Sequence, residues 1–389
     1  MSTRAVLIAQ ACIVVICFFT LFTLRFEKTK GNEVLVYKRA QILFEDSRNP
    51  YDKYNLFSLF PKGTEINVNL LVWNAPILFT VGKVFLSPPT ELLQKYWFYV
   101  STLLAFGAII TTILTIGSES IVLCLISGLS ILYASVPYTS DISVGQLGSL
   151  LSFIAISGSL LFIKKHYRTS GIALSTLAVK PHIFTLLIFA LMLICIKSRR
   201  REFIYYFFGS VVLLSLLAEV SHPGIWALWI YREEWPSTIY GATLGSLLSN
   251  SFGVSLLYKY GLSILPLALL MSYFSSIILK TDLSSTQRLS KIVFLALMTT
   301  ALFAPYGFIF DHMSTTCCIL FFMLLDKKKP VSGPLIAVAG LTYLATQLLL
   351  QIFGENYHLI FLAQLIQPFS YFLLALIDTS ATLTKKDFA

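Results

Sequence analysis

Apolar stretches at 5–24, 96–116, 120–137, 147–163, 170–196, 203–220, 261–279, 292–309, 313–325, 333–353 and 358–377 succeed one another along the chain. A transmembrane helix needs about 20 predominantly apolar residues, because lipid leaves every backbone N–H and C=O to be satisfied within the segment itself. The pattern predicts an all-α polytopic membrane protein. Hydrophobic residues make up 56% of the chain and charged residues 12%, with a mean hydropathy of +0.78, which excludes a soluble globular domain of this length. The stretch 5–24 stands behind Met-Ser-Thr-Arg, is longer than a signal-peptide core and has no small-residue cleavage site before Arg25. It is read as a retained helix.

A net charge of +10 invites a nucleic-acid partner, but the basic residues fall in short clusters between apolar runs, with no basic helix or aromatic platform. No nucleic-acid partner is expected. The six cysteines, Cys12, Cys17, Cys124, Cys195, Cys317 and Cys318, lie in apolar segments without metal-ligand spacing and read as packing residues.

The basic clusters set the expected orientation. By the positive-inside rule, 164–168, 197–201, 280–291, 326–329 and Lys385-Lys386 are cytoplasmic. Two segments must then behave unusually. Pro76 to Ser87 would make a helix of about 18 Å, too short to cross, and is expected to lie along the outer interface. The run 170–196 has a basic cluster at each end, so it must enter and return as a hairpin broken at Lys180-Pro181, where proline disfavours continuous helix. The resulting organisation is a single transmembrane domain over 1–389, a long first outer loop at 25–95, the broken hairpin at 170–196 and a second outer loop at 221–260. Both termini are expected in the cytoplasm, with the polar chemistry gathered on the outer face. Within the first loop, Val36, Ala40, Leu43 and Phe44 repeat at helical spacing while Lys38, Arg39, Gln41 and Glu45 fall largely on other faces, predicting an amphipathic interfacial helix.

Several residues carry chemistry in this layout. Glu33 opens the amphipathic helix, where it can act as a base or simply complement the helix N-terminus. Lys180 and His182 sit at the hairpin apex, where they can bind an anionic group such as a phosphate, or snorkel and pack. Asp311 and His312 share an outer connection with Pro305 and Gly307; adjacent residues point apart, so the two serve different partners, or the segment is a solvated loop tip. Gly145 and Gln146 are read as opening a helix. Trp226, Trp229, Trp235, Tyr231 and Tyr240 in the second outer loop suit either sugar stacking or an interfacial aromatic belt. The sequence holds no His/Cys metal cluster, P-loop, nucleophile elbow or dinucleotide fingerprint.

These residues, in this order, resemble the GT-C glycosyltransferases, and most closely the GT87 family of polyprenyl-phosphate-sugar-dependent, mannosyltransferase-like enzymes. "EVLVYKRAQILFEDSRNPYD" (33–52) looks like the family's stretch from an acidic residue through a tyrosine-containing amphipathic helix to Asn-Pro-Tyr-Asp. "NAP" (74–76), Gly145-Gln146, "KPH" (180–182) and "APYGFIFDH" (304–312) follow in family order. Glu33 stands where the family usually has aspartate, one methylene shorter, and the following proline motif is degenerate.

The resemblance implies a GT-C-type bundle of about 10–12 transmembrane helices in the plasma (inner) membrane. It implies transfer of a sugar from a polyprenyl-phosphate donor to an acceptor hydroxyl of a glycolipid or glycan on the outer face, with inversion. Glu33 would be the general base, with Asp46 or Asp52 the next acids to consider. Lys180, His182, His312, Gln146, Asp311, Tyr51 and Asp52 would bind the donor phosphate or substrate. No cofactor or divalent metal is expected; membrane lipids and the lipid-linked donor are the expected partners. The alternative is a secondary transporter or a flippase of lipid-linked sugars, which would also use broken helices. It predicts an internal repeat, which the sequence lacks, and leaves the 71-residue first loop without a purpose.

Overall fold

The computed structural model describes residues 32–60, 72–116, 128–129, 131–132, 135–232, 242–252, 256–305, 307–324, 341–342, 344–346, 348–349, 352 and 357–384. The stretch 5–24, most of 120–137 and 333–353, Trp235, Tyr240 and the C-terminal lysines lie outside these residues.

Among the described residues the regular structure is helical, with no strand. The first loop supplies α1 (Asn32–Glu45), α2 (Lys53–Ser58) and α3 (Ile77–Gly82). There follow α4 (Thr90–Ile116), α5 (Val136–Val144), α6 (Gly148–Ile163), α7 (Tyr167–Ser175) with a 3-10 turn at Thr176–Val179, α8 (Pro181–Lys197) and α9 (Glu202–Ser221). Then come α10 (Ile225–Ile230), α11 (Leu244–Phe252), α12 (Leu256–Lys280), α13 (Thr286–Thr299), a 3-10 turn at Ile309–His312, α14 (Met313–Leu324) and α15 (Tyr357–Thr384). Three helical segments, Thr90–Ile113, Glu202–Ser221 and Gly261–Lys280, are long and apolar enough to cross a membrane. Outward-facing leucines and valines of α9, such as Leu213, Leu216 and Val220, are exposed, the arrangement expected of a helix whose surroundings are themselves apolar.

The broken segment has a physical cause. Lys180 precedes proline and takes φ −128°, ψ 68°, outside the helical region, while Pro181 starts α8 at the one position where its missing N–H costs nothing. The two limbs then part: α7 packs on α6 and α9, and α8 on α12 and α13.

Contacts at the limb ends show which termini share a level. Arg168 Nε lies 3.3 Å from Glu202 Oε2, and Gly171 brings the start of α7 so close to α9 that a Cβ there would sit 2.8 Å from the Phe203 carbonyl oxygen. Lys197 Nζ donates to the carbonyls of Ile278, Leu279 and Thr281 at 2.8, 2.9 and 2.6 Å, capping the end of α12. The basic clusters at 164–168, 197–201 and 280–291 therefore gather at one end of the bundle. Lys180 lies at the other, where Ala75 N–H donates to the Val179 carbonyl at 3.0 Å.

Two sequence expectations change. The helix foreseen over Pro76 to Ser87 stops at Gly82, and its Ile77, Leu78 and Phe79 are buried against the rest of the protein. The run 292–309 leaves the helix at Thr299, because carbonyls beyond that point accept backbone bonds from 242–244: the Leu302 carbonyl from Leu244 N–H at 2.9 Å and the Gly307 carbonyl from Ala242 N–H at 2.6 Å.

Candidate functional site

At the end of the bundle away from the basic clusters, the Lys180 ammonium meets the Asp311 carboxylate. Nζ to Oδ1 is 2.7 Å, and both side chains are buried. The second carboxylate oxygen, Oδ2, accepts the Phe308 N–H at 2.9 Å, so the 3-10 turn holds the acid in place. Gly307 makes the approach possible: a Cβ there would come within 2.9 Å of Ile183 Cδ1, one turn into α8. Burying two charges is expensive and is offset only by close geometry and additional hydrogen bonds, both present here.

Glu33 lies in the first turn of α1, partly buried, and its carboxylate makes no hydrogen bond to a described residue. Burial raises its pKa to about 8; Lys180 pulls it down, and the charges of Asp311 and Asp141 push it up again. It therefore stands within electrostatic reach of the Lys180–Asp311 pair. The helix carrying it is fixed by Val34, Val36, Tyr37, Ala40, Leu43 and Phe44, all buried. Gln41, foreseen on a polar face, is buried too and donates to Glu45 at 3.2 Å.

Gln146 serves as a clamp for this helix. Its side-chain oxygen accepts the Tyr37 hydroxyl at 2.8 Å and its carbonyl accepts the Trp97 indole N–H at 2.9 Å. Gly145 closes α5 rather than opening a helix: its φ of +81° is left-handed, a conformation glycine adopts without steric cost, and its N–H bonds the Asp141 carbonyl. Asp141, which sequence reasoning missed, caps α6 by accepting from Gly148 N–H, Ser149 N–H and Ser149 Oγ at 2.8, 2.9 and 2.5 Å. The sequence signal was an acid seven residues ahead of Gly148-Ser149.

The remaining candidates separate. His182 is partly exposed beside exposed Pro181, with Asp311, Lys180 and Arg232 close enough to influence it electrostatically. Tyr51 is buried and donates to the Asn74 carbonyl at 3.1 Å. Asp52 is not in the cluster; it caps α2, accepting the Asn55 N–H at 2.7 Å. His312 is fully buried, with Nε2 2.5 Å from the Ala242 carbonyl oxygen, and burial lowers its pKa. The neutral ring so favoured ties Ala242 to the 3-10 turn. Trp226 and Trp229 pack edge to face at 5.6 Å.

Arg232 was not foreseen. Its side chain is buried, donates Nη1–H to the Trp229 carbonyl at 2.5 Å, and places its guanidinium 5.1 Å from the Trp229 ring. It lies near both Tyr51 and His182, adding a second cation to the cluster. The only sequence signal was an arginine at the end of a tryptophan-containing helix. Among the described residues no three His, Cys, Asp or Glu side chains converge as metal ligands would.

The site thus joins an acid with no hydrogen-bonded partner among the described residues, two cations and a partly exposed histidine, supplied by separate parts of the chain. Comparison of the chain with protein-family models, curated proteins and solved structures finds no match in any of the three.

Proposed function

We propose that this chain is an integral-membrane glycosyltransferase of GT-C type, GT87-like. It moves a sugar, mannose or another hexose or pentose, from a polyprenyl-phosphate donor to an acceptor hydroxyl on the outer face of the plasma membrane. The observation that carries the reading is Glu33: a carboxylate with no hydrogen-bonded partner among the described residues, held beside the Lys180–Asp311 pair. Structural acids are bonded, as Asp141 and Asp311 are. A base must keep a lone pair available.

In this reading the acceptor oxygen attacks the anomeric carbon from the face opposite the phosphate. Glu33 takes the hydroxyl proton, the carbon–oxygen bond to phosphate breaks, and the electron pair leaves on polyprenyl phosphate, giving inversion. The growing negative charge needs preorganised cations in a site shielded from water. Lys180 and Arg232 supply them, with His182 beside the leaving oxygen. Asp311 fixes the direction of the Lys180 ammonium and moderates its charge, so that the product phosphate is released.

The basic end of the bundle then faces the cytoplasm and the cluster faces outward, as the charge rule requires. The test is sugar transfer by purified protein in nanodiscs, offered a panel of polyprenyl-phosphate sugars and membrane-extract acceptors. Transfer that Glu33→Gln removes supports the reading. Folded, monodisperse protein that transfers nothing from any donor would overturn it.

A further inference from the structure

One corner beside Lys180 has no role in the chemistry above. Trp73 and Asn74 lead into α3, and the next residue, Ala75, donates its N–H to the Val179 carbonyl, one residue before Lys180. The Trp73 ring stacks on Phe308 with centroids 6.0 Å apart and planes 8° from parallel, and the Phe308 N–H is bonded to Asp311. The Trp73 carbonyl accepts the Trp229 indole N–H at 3.2 Å. Tyr51 holds the Asn74 carbonyl. The backbone is thus fixed on every side.

The polar atoms of the two side chains are left over. Asn74 is 6% exposed, yet its amide nitrogen is buried with no hydrogen-bond partner among the described residues, and so is the indole nitrogen of Trp73. A buried donor without an acceptor costs about 1–3 kcal/mol, and two adjacent ones are seldom kept without use.

We propose that the Trp73–Asn74 corner recognises the hydroxyls of the transferred sugar. This rests on the glycosyltransferase reading and names the groups that select the donor. The chemistry separates sugar from phosphate. A phosphate only accepts hydrogen bonds and is served by the cations; an amide offering both donor and acceptor matches a hydroxyl pair, which does the same. Trp73 adds a second donor and a planar apolar edge suited to a pyranose ring. A site built to bond a hydroxyl rejects an analogue lacking it, because its own polar groups are then left unpaired.

The experiment compares kcat/KM for the best polyprenyl-phosphate sugar with that for deoxy analogues missing one hydroxyl at a time, in wild type, Asn74→Ala and Asn74→Asp. For the recognised hydroxyl, wild type should prefer the complete sugar by about tenfold or more, and Asn74→Ala should bring that ratio close to one. Damage to the fold would lower both rates and leave the ratio unchanged. A ratio equal to wild type for every hydroxyl overturns the proposal. Binding of the same donors is measured in parallel, which separates the corner from the reaction. Absent transfer, loss in Asn74→Ala of a wild-type preference for sugar-bearing over bare polyprenyl phosphate supports the corner while removing the enzyme reading. No such preference in wild type overturns the corner.

Discussion

Lys180 and Asp311, 131 residues apart in sequence, are joined by a 2.7 Å ion pair that both side chains bury. The pair ties the hairpin apex to the connection before α14.

Removing one partner should therefore cost more than removing both. Lys180→Ala leaves the Asp311 carboxylate buried without its cation, a loss of about 3–5 kcal/mol in comparable pairs, whereas Lys180→Ala with Asp311→Ala removes the uncompensated charge. Thermal unfolding in detergent should show the double variant melting above the single one. Equal or greater loss in the double variant would mean that the pair is not buried as described.

Glu33 should make stability depend on pH in a particular direction. Its folded pKa, about 8, exceeds the ordinary value of 4.5, so the folded state binds the proton more tightly. The stabilisation is complete below 4.5, falls as pH rises through the interval, and is gone above about 8. Glu33→Gln removes the ionisable group, so relative to wild type it should gain stability between about pH 5 and about pH 9. A difference between the two that stays constant over that range would place Glu33 in water.

How much of this was legible in the sequence differs from part to part. The break at Lys180 was, because a proline and two flanking basic clusters each impose a constraint that does not depend on distant residues. The helices over the apolar runs 96–116, 147–163 and 203–220 were also legible, since long apolar runs leave the backbone little alternative. The partner of Lys180 was not: nothing local marks Asp311, 131 residues away, and only packing decides that it reaches the ammonium while His312 turns toward Ala242. Asp141 and Arg232 were missed for the same reason, since a cap and a guanidinium on tryptophan are defined by what folds against them. Asp52, in contrast, could have been seen as a helix cap from its position before Lys53-Tyr54-Asn55.

The close approach of α7 and α9 predicts that Gly171 tolerates no larger side chain. Its Cβ would meet backbone, 2.8 Å from the Phe203 oxygen and 2.9 Å from the Phe207 nitrogen, and neither can move aside without shifting a helix. Gly171→Val should lower the unfolding temperature by several degrees, the effect of about 1–3 kcal/mol of overpacking. Gly209, with open space around it, should accept alanine with little change and serves as the control.

The shared level of the basic clusters predicts the labelling pattern of single cysteines. In sealed vesicles, a membrane-impermeant thiol reagent should reach Lys165→Cys and Arg199→Cys from one side, and Ser87→Cys and Tyr231→Cys from the other, in a background lacking the native cysteines. Labelling of the first two from opposite sides would rule out a hairpin between them.

The role of Glu33 is tested most directly by the rate of sugar transfer in nanodiscs from about pH 6 to about pH 9.5 for wild type and Glu33→Gln. With Glu33 as the base, wild-type kcat/KM should rise about tenfold per pH unit and level off near pH 8, where the carboxyl gives up its proton. Glu33→Gln should bind the donor within a few-fold of wild type while transfer falls by about a thousandfold or more at every pH. Transfer by Glu33→Gln at the wild-type rate, with the same pH profile, would contradict the assignment of the base and with it the reading of the whole site.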